Sequence, residues 1–249
     1  MNAPRDRDPP LMGNSILETR LADALGQLER SNRETASFIQ TLSHDLRAPI
    51  RAIKGYSSAL EESTAEKLGA VERSYVAKMV TAAKQMERLI EDVMEYSRVT
   101  GDTITSERVD AQQVVRDVID SNPHFQNKIE IVNSIPAVRA HEPTLKEVVS
   151  QLLANAIKFV PRGVEPRVRV SSETRGGEVR LWVDDNGIGV PAELHSKIFE
   201  LFVRGHPGYD GSGVGLAIVL KASERMHGKC GVESGPDKGS RFWVQLPLA

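Results

Sequence analysis

Residues 38–57 read FIQTLSHDLRAPIRAIKGYS, and the organisation of the whole chain follows from that stretch. It holds a single histidine, His44, followed directly by Asp45 and set in a pattern of helical period. Upstream, Leu21, Leu25, Leu28, Asn32, Thr35, Ile39 and Leu42 alternate spacings of four and three. That is a heptad seam, with Asn32 and Thr35 as polar members that weaken it and set its register. At roughly 100° per residue, His44 lies about 200° around the helix from Leu42. It therefore faces solvent while Leu42 and Leu46 face the seam. An isolated histidine is by default a surface residue or a satisfied core one, and its place on the helix disfavours the core. The adjacent carboxylate of Asp45 can keep one ring nitrogen protonated and leave the other lone pair free to attack phosphorus. Pro49 lacks an N–H, so the Asp45 carbonyl loses its helical partner and a bend is expected one turn beyond the histidine.

Working outward, the first helix is expected to end near residue 62, with a turn over 63–70. A second helix is predicted over 71–99, with Val76, Val80, Ala83, Met86, Ile90, Val93 and Ser97 on one stripe. Two long helices with a short connection make an αα-hairpin. One hairpin covers its stripes poorly, so pairing of two copies into a homodimeric four-helix bundle is the expected completion. The boundaries read as a polar, proline-rich, disordered stretch over 1–13, a coiled-coil lead-in over 14–36, the hairpin over 37–100 and a linker over 101–110.

A second domain is expected over 111–249. The pattern predicts a helix over 111–121, short strands at KIEIV and AVRA, a helix over 143–159 and strands over 167–171 and 179–183. A helix over 214–227 and two closing strands follow. There is no regular βαβ rhythm, so the fold class is α+β, a helical hairpin followed by an α/β sandwich whose mixed sheet has helices on one face.

Bulk properties narrow the classes. With 32 basic and 34 acidic residues among 249, the net charge of −2 gives no electrostatic case for a nucleic-acid partner. One cysteine, Cys230, excludes an internal disulfide and fits a reducing, cytoplasmic setting. No apolar run reaches membrane-spanning length, and the N-terminus lacks the apolar centre of a signal peptide, so no membrane segment is expected in this chain.

Three stretches of the second domain carry chemistry. In LKEVVSQLLANAIKF, Leu145, Val148, Val149, Leu152, Ala156 and Phe159 make a core stripe, and Glu147, Gln151, Asn155 and Lys158 line the other side. Asn155 offers an amide oxygen suited to Mg²⁺, and Lys158 offers charge to phosphate. Taken alone, this helix reads as an ordinary amphipathic one. Next, VRLWVDD runs into NGIGVP, so Asp185 ends a strand and Gly187 and Gly189 permit a tight turn beside a ligand. A dinucleotide reading of GIGVPA fails, because an aspartate before the glycines opposes a pyrophosphate and no parallel βαβ unit surrounds it. The carboxylate is better used to accept from an adenine amino group. Third, Gly211, Gly213 and Gly215 of GSGVGLAIV precede a helix whose free N–H groups can hold phosphate. Between these boxes, GHPGYD is either a plain surface loop or a mobile lid. There is no GxxxxGK[ST] motif, and His124, His141, His195 and His206 lack zinc-ligand spacing.

SHDLRAPIRAI resembles the phospho-acceptor box of bacterial sensor histidine kinases. NAIKF, DNGIG, FELF and GSGVGLAI, in that order, resemble the N, first glycine, F and second glycine boxes of their catalytic domain, the Bergerat ATP fold shared with gyrase and MutL. GPDKGSRFWVQLP resembles its terminal glycine segment, so the resemblance spans residues 40–249. The lid is most similar to the short lids of phytochrome-type kinases. The resemblance implies ATP with Mg²⁺, His44 as the phosphorylated residue and Asp45 as its acid–base helper. It implies Asn155 on the metal, Lys158 and Arg204 on phosphates and Asp185 on adenine. It places Gly187, Gly189, Phe202, Gly211, Gly213, Gly215 and Leu216 around the nucleotide. It also implies a response regulator receiver domain as next acceptor and an upstream sensor domain or partner protein as input. There are two departures. Ala48 stands where the family often has Thr or Asn to orient water for dephosphorylation, and Gln151 stands where it commonly has Asn. The rival readings are an ATPase of the gyrase or MutL type and a silent dimeric scaffold. Against the ATPase stands the absence of a glutamate at position 151.

Overall fold

The computed structural model describes residues 12–64, 68–101, 104–206, 208–209, 211–235 and 238–249. Helices α1 (Met12–Thr64) and α2 (Ala70–Gly101) pack side by side as the expected hairpin. The seam positions Leu21, Leu25, Leu28 and Asn32 and most of the 1–13 stretch lie outside the residues whose side chains are described, although Met12 and Gly13 are helical. Helix α1 runs through Pro49 without a break. Across the hairpin, Lys54 Nζ meets Glu87 Oε2 at 2.6 Å and Arg47 Nη2 donates to Met94 Sδ at 2.7 Å. These two contacts fix an antiparallel register.

The packing faces of the two helices differ from the seam read in the sequence. On α2, Val76, Val80, Ala83, Ile90 and Ser97 are buried as expected, but Met86 is exposed. On α1, the face against α2 is Ser43, Ile50 and Ser57, a seven-residue repeat of small and β-branched side chains. Leu42 and Leu46 are exposed, and so are Ile53, Tyr56 and Leu60, which continue the same heptad. The leucine seam therefore points away from the chain's own second helix.

The second unit begins earlier than the helix at 111. Strand β1 (Glu107–Val109), inside the stretch read as linker, pairs antiparallel with β3 (Val138–Ala140). Helix α3 (Ala111–Ser121) starts on Asp110, whose carboxylate accepts from Gln113 N. The main sheet runs β2 (Ile129–Ile131), β4 (Val168–Arg175), β5 (Glu178–Asp185), β7 (Ser240–Pro247), β6 (Lys229–Ser234). β2 and β4 are parallel and the other neighbours antiparallel, so the sheet is mixed as expected. Helices α3, α4 (Glu142–Lys158) and α5 (Gly215–Arg225) bury one face of it. Leu152 and Leu153 of α4 and Ile218 of α5 meet Val170, Val183 and Val244 there. Each such fully buried side chain contributes about 1.5–3 kcal/mol. The other sheet face carries Trp182 and Trp243, cross-strand partners with Arg180 4.2 Å from the Trp243 ring and Arg241 4.3 Å from the Trp182 ring.

The two units also touch. Val99, near the end of α2, is part of the second unit's core, with Val93 and Tyr96 packed against it. Arg225 of α5 donates to the Val99 carbonyl.

Candidate functional site

Helix α4 builds one wall. Its buried stripe faces the sheet, so Glu147, Gln151, Asn155 and Lys158 are carried on the side left open. Its end is tied to the turn after β5, where Ile188 N donates to the Phe159 carbonyl at 2.9 Å. Gly187 is required there, because a Cβ would lie 2.5 Å from that same carbonyl oxygen. Asp185 holds the turn from inside, its Oδ1 accepting from Gly187 N at 2.8 Å and Ser240 N at 3.0 Å. Its Oδ2 has no hydrogen-bond partner among the described residues. Burial pushes the Asp185 carboxyl up to about 6, the two N–H donors pull it down, and neighbouring Asp184 adds to the rise.

Two cavities meet at Asn155, which lines both. The small one, about 40 Å³, is walled by Asp185, Gly189, Phe159 and His206. The large one, about 1010 Å³, is lined on the α4 side by Gln151, Asn155 and Lys158 and on the other by Phe202, Arg204, Gly211, Gly213, Gly215 and Leu216. Lys158 is brought to the glycine segment, its Nζ 2.9 Å from where a Cβ on Gly211 would stand. Helix α5 opens on this cavity without a side-chain cap, which leaves its first N–H groups for a ligand. Phe202 N donates to the Gly213 carbonyl at 2.9 Å, and Phe202, an exposed residue, adopts a φ of 65°, a strained value for a non-glycine residue. Gly187 lines neither cavity.

Between the glycine boxes, His206 walls the small cavity and Tyr209 the large one. The Tyr209 hydroxyl donates to the Val160 carbonyl at 3.0 Å, its ring lies 5.6 Å from that of Phe159, and His206 Nε2 is 2.9 Å from the Gly189 carbonyl. Arg204 Nη2 donates to the Tyr209 carbonyl at 2.5 Å. Neither His206 nor Tyr209 was identifiable as a site residue from its spacing. Ser240 N reaches Asp185 from a distant strand; it lies in the terminal glycine segment, but its contact with Asp185 was not identifiable from the sequence.

The amide oxygens of Asn155 and Gln151 suit a hard divalent cation. Among the described residues, no group of three or more acidic, histidine or cysteine side chains is placed to hold a metal ion.

The large cavity has a third wall, the α2 residues Gln85, Met86, Arg88, Leu89 and Asp92. His44 lines neither cavity. Its side chain is 80% exposed, with Nδ1 3.4 Å from Asp45 Oδ1. In the hairpin register Arg88 is level with residue 53 of α1, which leaves His44 about 14 Å further along the axis at 1.5 Å per residue. Cys230 is chemically quiet, since burial pushes its thiol up to about 12.

Comparison with known proteins agrees with this geometry. Residues 35–102 match the His Kinase A (phospho-acceptor) domain, and residues 140–249 match the histidine kinase-, DNA gyrase B- and HSP90-like ATPase family. The chain is 32% identical over 236 residues to phytochrome-like protein Cph1 of Synechocystis, covering 92% of this chain and 31% of that protein. It is 33% identical over 245 residues to sensor histidine kinase AruS of Pseudomonas aeruginosa, covering 92% of this chain and 24% of that one. Full-length ShkA, solved in complex with AMPPNP, superposes with a TM-score of 0.62 at 32% identity over 86% of this chain and 46% of that one. The chain thus spans 24% to 31% of the length of these two curated relatives.

Proposed function

The chain is a histidine kinase transmitter module, and from that premise we propose that it transfers the γ-phosphoryl group of ATP to His44 and onward to an aspartate of a response regulator. The observation that carries the reading is the coexistence in one chain of an exposed His44–Asp45 pair and a cavity with Asp185 at one end and an uncapped helix at the other.

The residues divide the work. Asp185 Oδ2 accepts the adenine amino group in the small cavity. Its volume of about 40 Å³ is below that of a purine, so His206, which walls it, shifts on binding. Lys158, Arg204 and the N–H groups at the start of α5 take the phosphates. Asn155 holds Mg²⁺, which when bound supplies charge neutralisation on the phosphate oxygens. At the acceptor, Asp45 holds the Nδ1 proton, so the Nε2 lone pair forms the bond to phosphorus as the bond to the β–γ bridging oxygen breaks and ADP leaves. With His44 outside the cavity, the nucleotide-binding unit must move along the hairpin for transfer.

The exposed stripe of Leu42, Leu46, Ile53, Tyr56 and Leu60 supports a homodimer through the hairpins. An upstream sensor domain or partner protein would act on α1, and a cytoplasmic setting suits ATP as donor. Among the described residues no helix is long and apolar enough to cross a membrane. With radiolabelled ATP, the chain is expected to take up label that is acid-labile and base-stable, and His44→Ala is expected to lose it with nucleotide affinity within about twofold of wild type. Base-stable label persisting in the variant would overturn the acceptor. Release of phosphate without any labelled protein would favour the ATPase reading.

A further inference from the structure

The departure at position 151 has a structural counterpart one helical turn earlier. Gln151 Nε2 donates to Glu147 Oε1 at 2.7 Å. A carboxylate only accepts, so this contact settles which way the amide points, with nitrogen toward Glu147 and oxygen away from it. The oxygen faces the start of α5. A Cβ built on Gly215 would lie 2.5 Å from Gln151 Oε1 and 3.9 Å from Asn155 Nδ2, so both amides and the uncapped helix meet at one corner of the large cavity. Glycine at 215 is what leaves room for that oxygen.

We propose that Glu147 is a positioning residue that aims the Gln151 amide oxygen at the divalent cation accompanying the nucleotide, which makes the longer side chain a working metal ligand beside Asn155. The proposal rests on reading this cavity as the ATP site. A glutamine has one more rotatable bond than an asparagine, and an unanchored one spreads its oxygen over several positions. Pinning the nitrogen removes that spread, so the oxygen is already in place when the cation arrives. Partners of this kind, one step removed from a metal, commonly set its affinity. The plainer alternative is an i,i+4 pair on a helix surface that stabilises α4 and does nothing else.

The test uses the full chain and calorimetric titration of a non-hydrolysable ATP analogue across a series of Mg²⁺ concentrations and in EDTA. Glu147→Ala is expected to raise the half-saturating Mg²⁺ concentration about tenfold while leaving analogue affinity in EDTA unchanged. Glu147→Gln, which still offers an oxygen to the Gln151 amide, is expected to restore the wild-type value. In a Gln151→Ala background, Glu147→Ala is expected to have no further effect, as required of a residue acting only through position 151. Unchanged Mg²⁺ dependence in Glu147→Ala overturns the proposal. An equal and additive effect in the Gln151→Ala background also overturns it, by making Glu147 an independent ligand. If Glu147→Ala fails to fold, the Glu147→Gln and Gln151→Ala pair decides, since only Gln151→Ala should shift the Mg²⁺ dependence. Failure of the wild-type chain to bind the analogue at any Mg²⁺ concentration would instead refute the ATP-site reading.

Discussion

Asp185 serves two purposes with one carboxylate. Oδ1 holds the β5 turn through two backbone N–H groups, and Oδ2 is the atom that the proposed function gives to adenine. Holding a buried charge for that ligand costs stability. The native carboxyl titrates near 6 against an ordinary 3.8, so the folded state binds its proton more tightly than the unfolded state does. This group therefore favours folding most below pH 4, and that contribution is lost as pH rises through about 6, at an order-of-magnitude cost of about 3 kcal/mol at neutral pH. Asp185→Asn keeps an oxygen for Gly187 and Ser240 and removes the charge, but turns a nitrogen donor toward the adenine amino group. At pH 7.5 the variant is expected to melt a few degrees higher than wild type and to lose adenine-nucleotide binding by calorimetry. For the wild type, nucleotide affinity is expected to fall as pH drops through about 6. An unchanged melting temperature would show that the buried charge is not the liability its surroundings indicate. The place of Asp185, at the end of a strand and beside a tight glycine turn, was legible because a carboxylate before two glycines marks such a turn. Its Ser240 contact was not, because that partner lies 55 residues away on another strand.

For the helical hairpin, the sequence reported that apolar stripes exist but not what covers them. The α2 stripe was read correctly at Val76, Val80, Ala83, Ile90 and Ser97 because one period runs through it. On α1 the leucine pattern outshone the inner face, where Ser43 and Ser57 are small and carry no hydrophobic signal and Ile50 is a single apolar residue between them. β1 was missed for a related reason, since three residues with one buried side chain are too short to show alternation. The seam left uncovered within one chain yields a prediction. Leu46→Lys with Ile53→Lys is expected to convert a dimer to a monomer at micromolar concentration, by light scattering, with helix content by circular dichroism within about a tenth of wild type. The inner face is untouched, so the hairpin should persist. A double variant that stayed dimeric would move the interface to another face.

Taken whole, the molecule holds its large cavity against α2 while His44 lies further along the hairpin and outside that cavity. No periodicity or motif encodes that arrangement, because it depends on how two separately legible units meet. The contact is anchored by Val93, Tyr96 and Val99 joining the second unit's core and by Arg225 donating to the Val99 carbonyl. A hydrogen bond from a charged donor contributes about 1.5–3 kcal/mol. If this arrangement must open before the cavity can reach a histidine, weakening its anchor should favour the open form. Arg225→Ala removes the charged donor but leaves the α5 residues that face the sheet, Ile218 and Ala222, in place. It is therefore expected to speed labelling of His44 at saturating ATP by about three- to tenfold, with the nucleotide Kd nearly unchanged. Rapid-quench measurement of the initial labelling rate against ATP concentration separates the two quantities. A slower rate at unchanged Kd would mean that the Arg225 contact belongs to the productive path and that the observed docking is a step toward transfer.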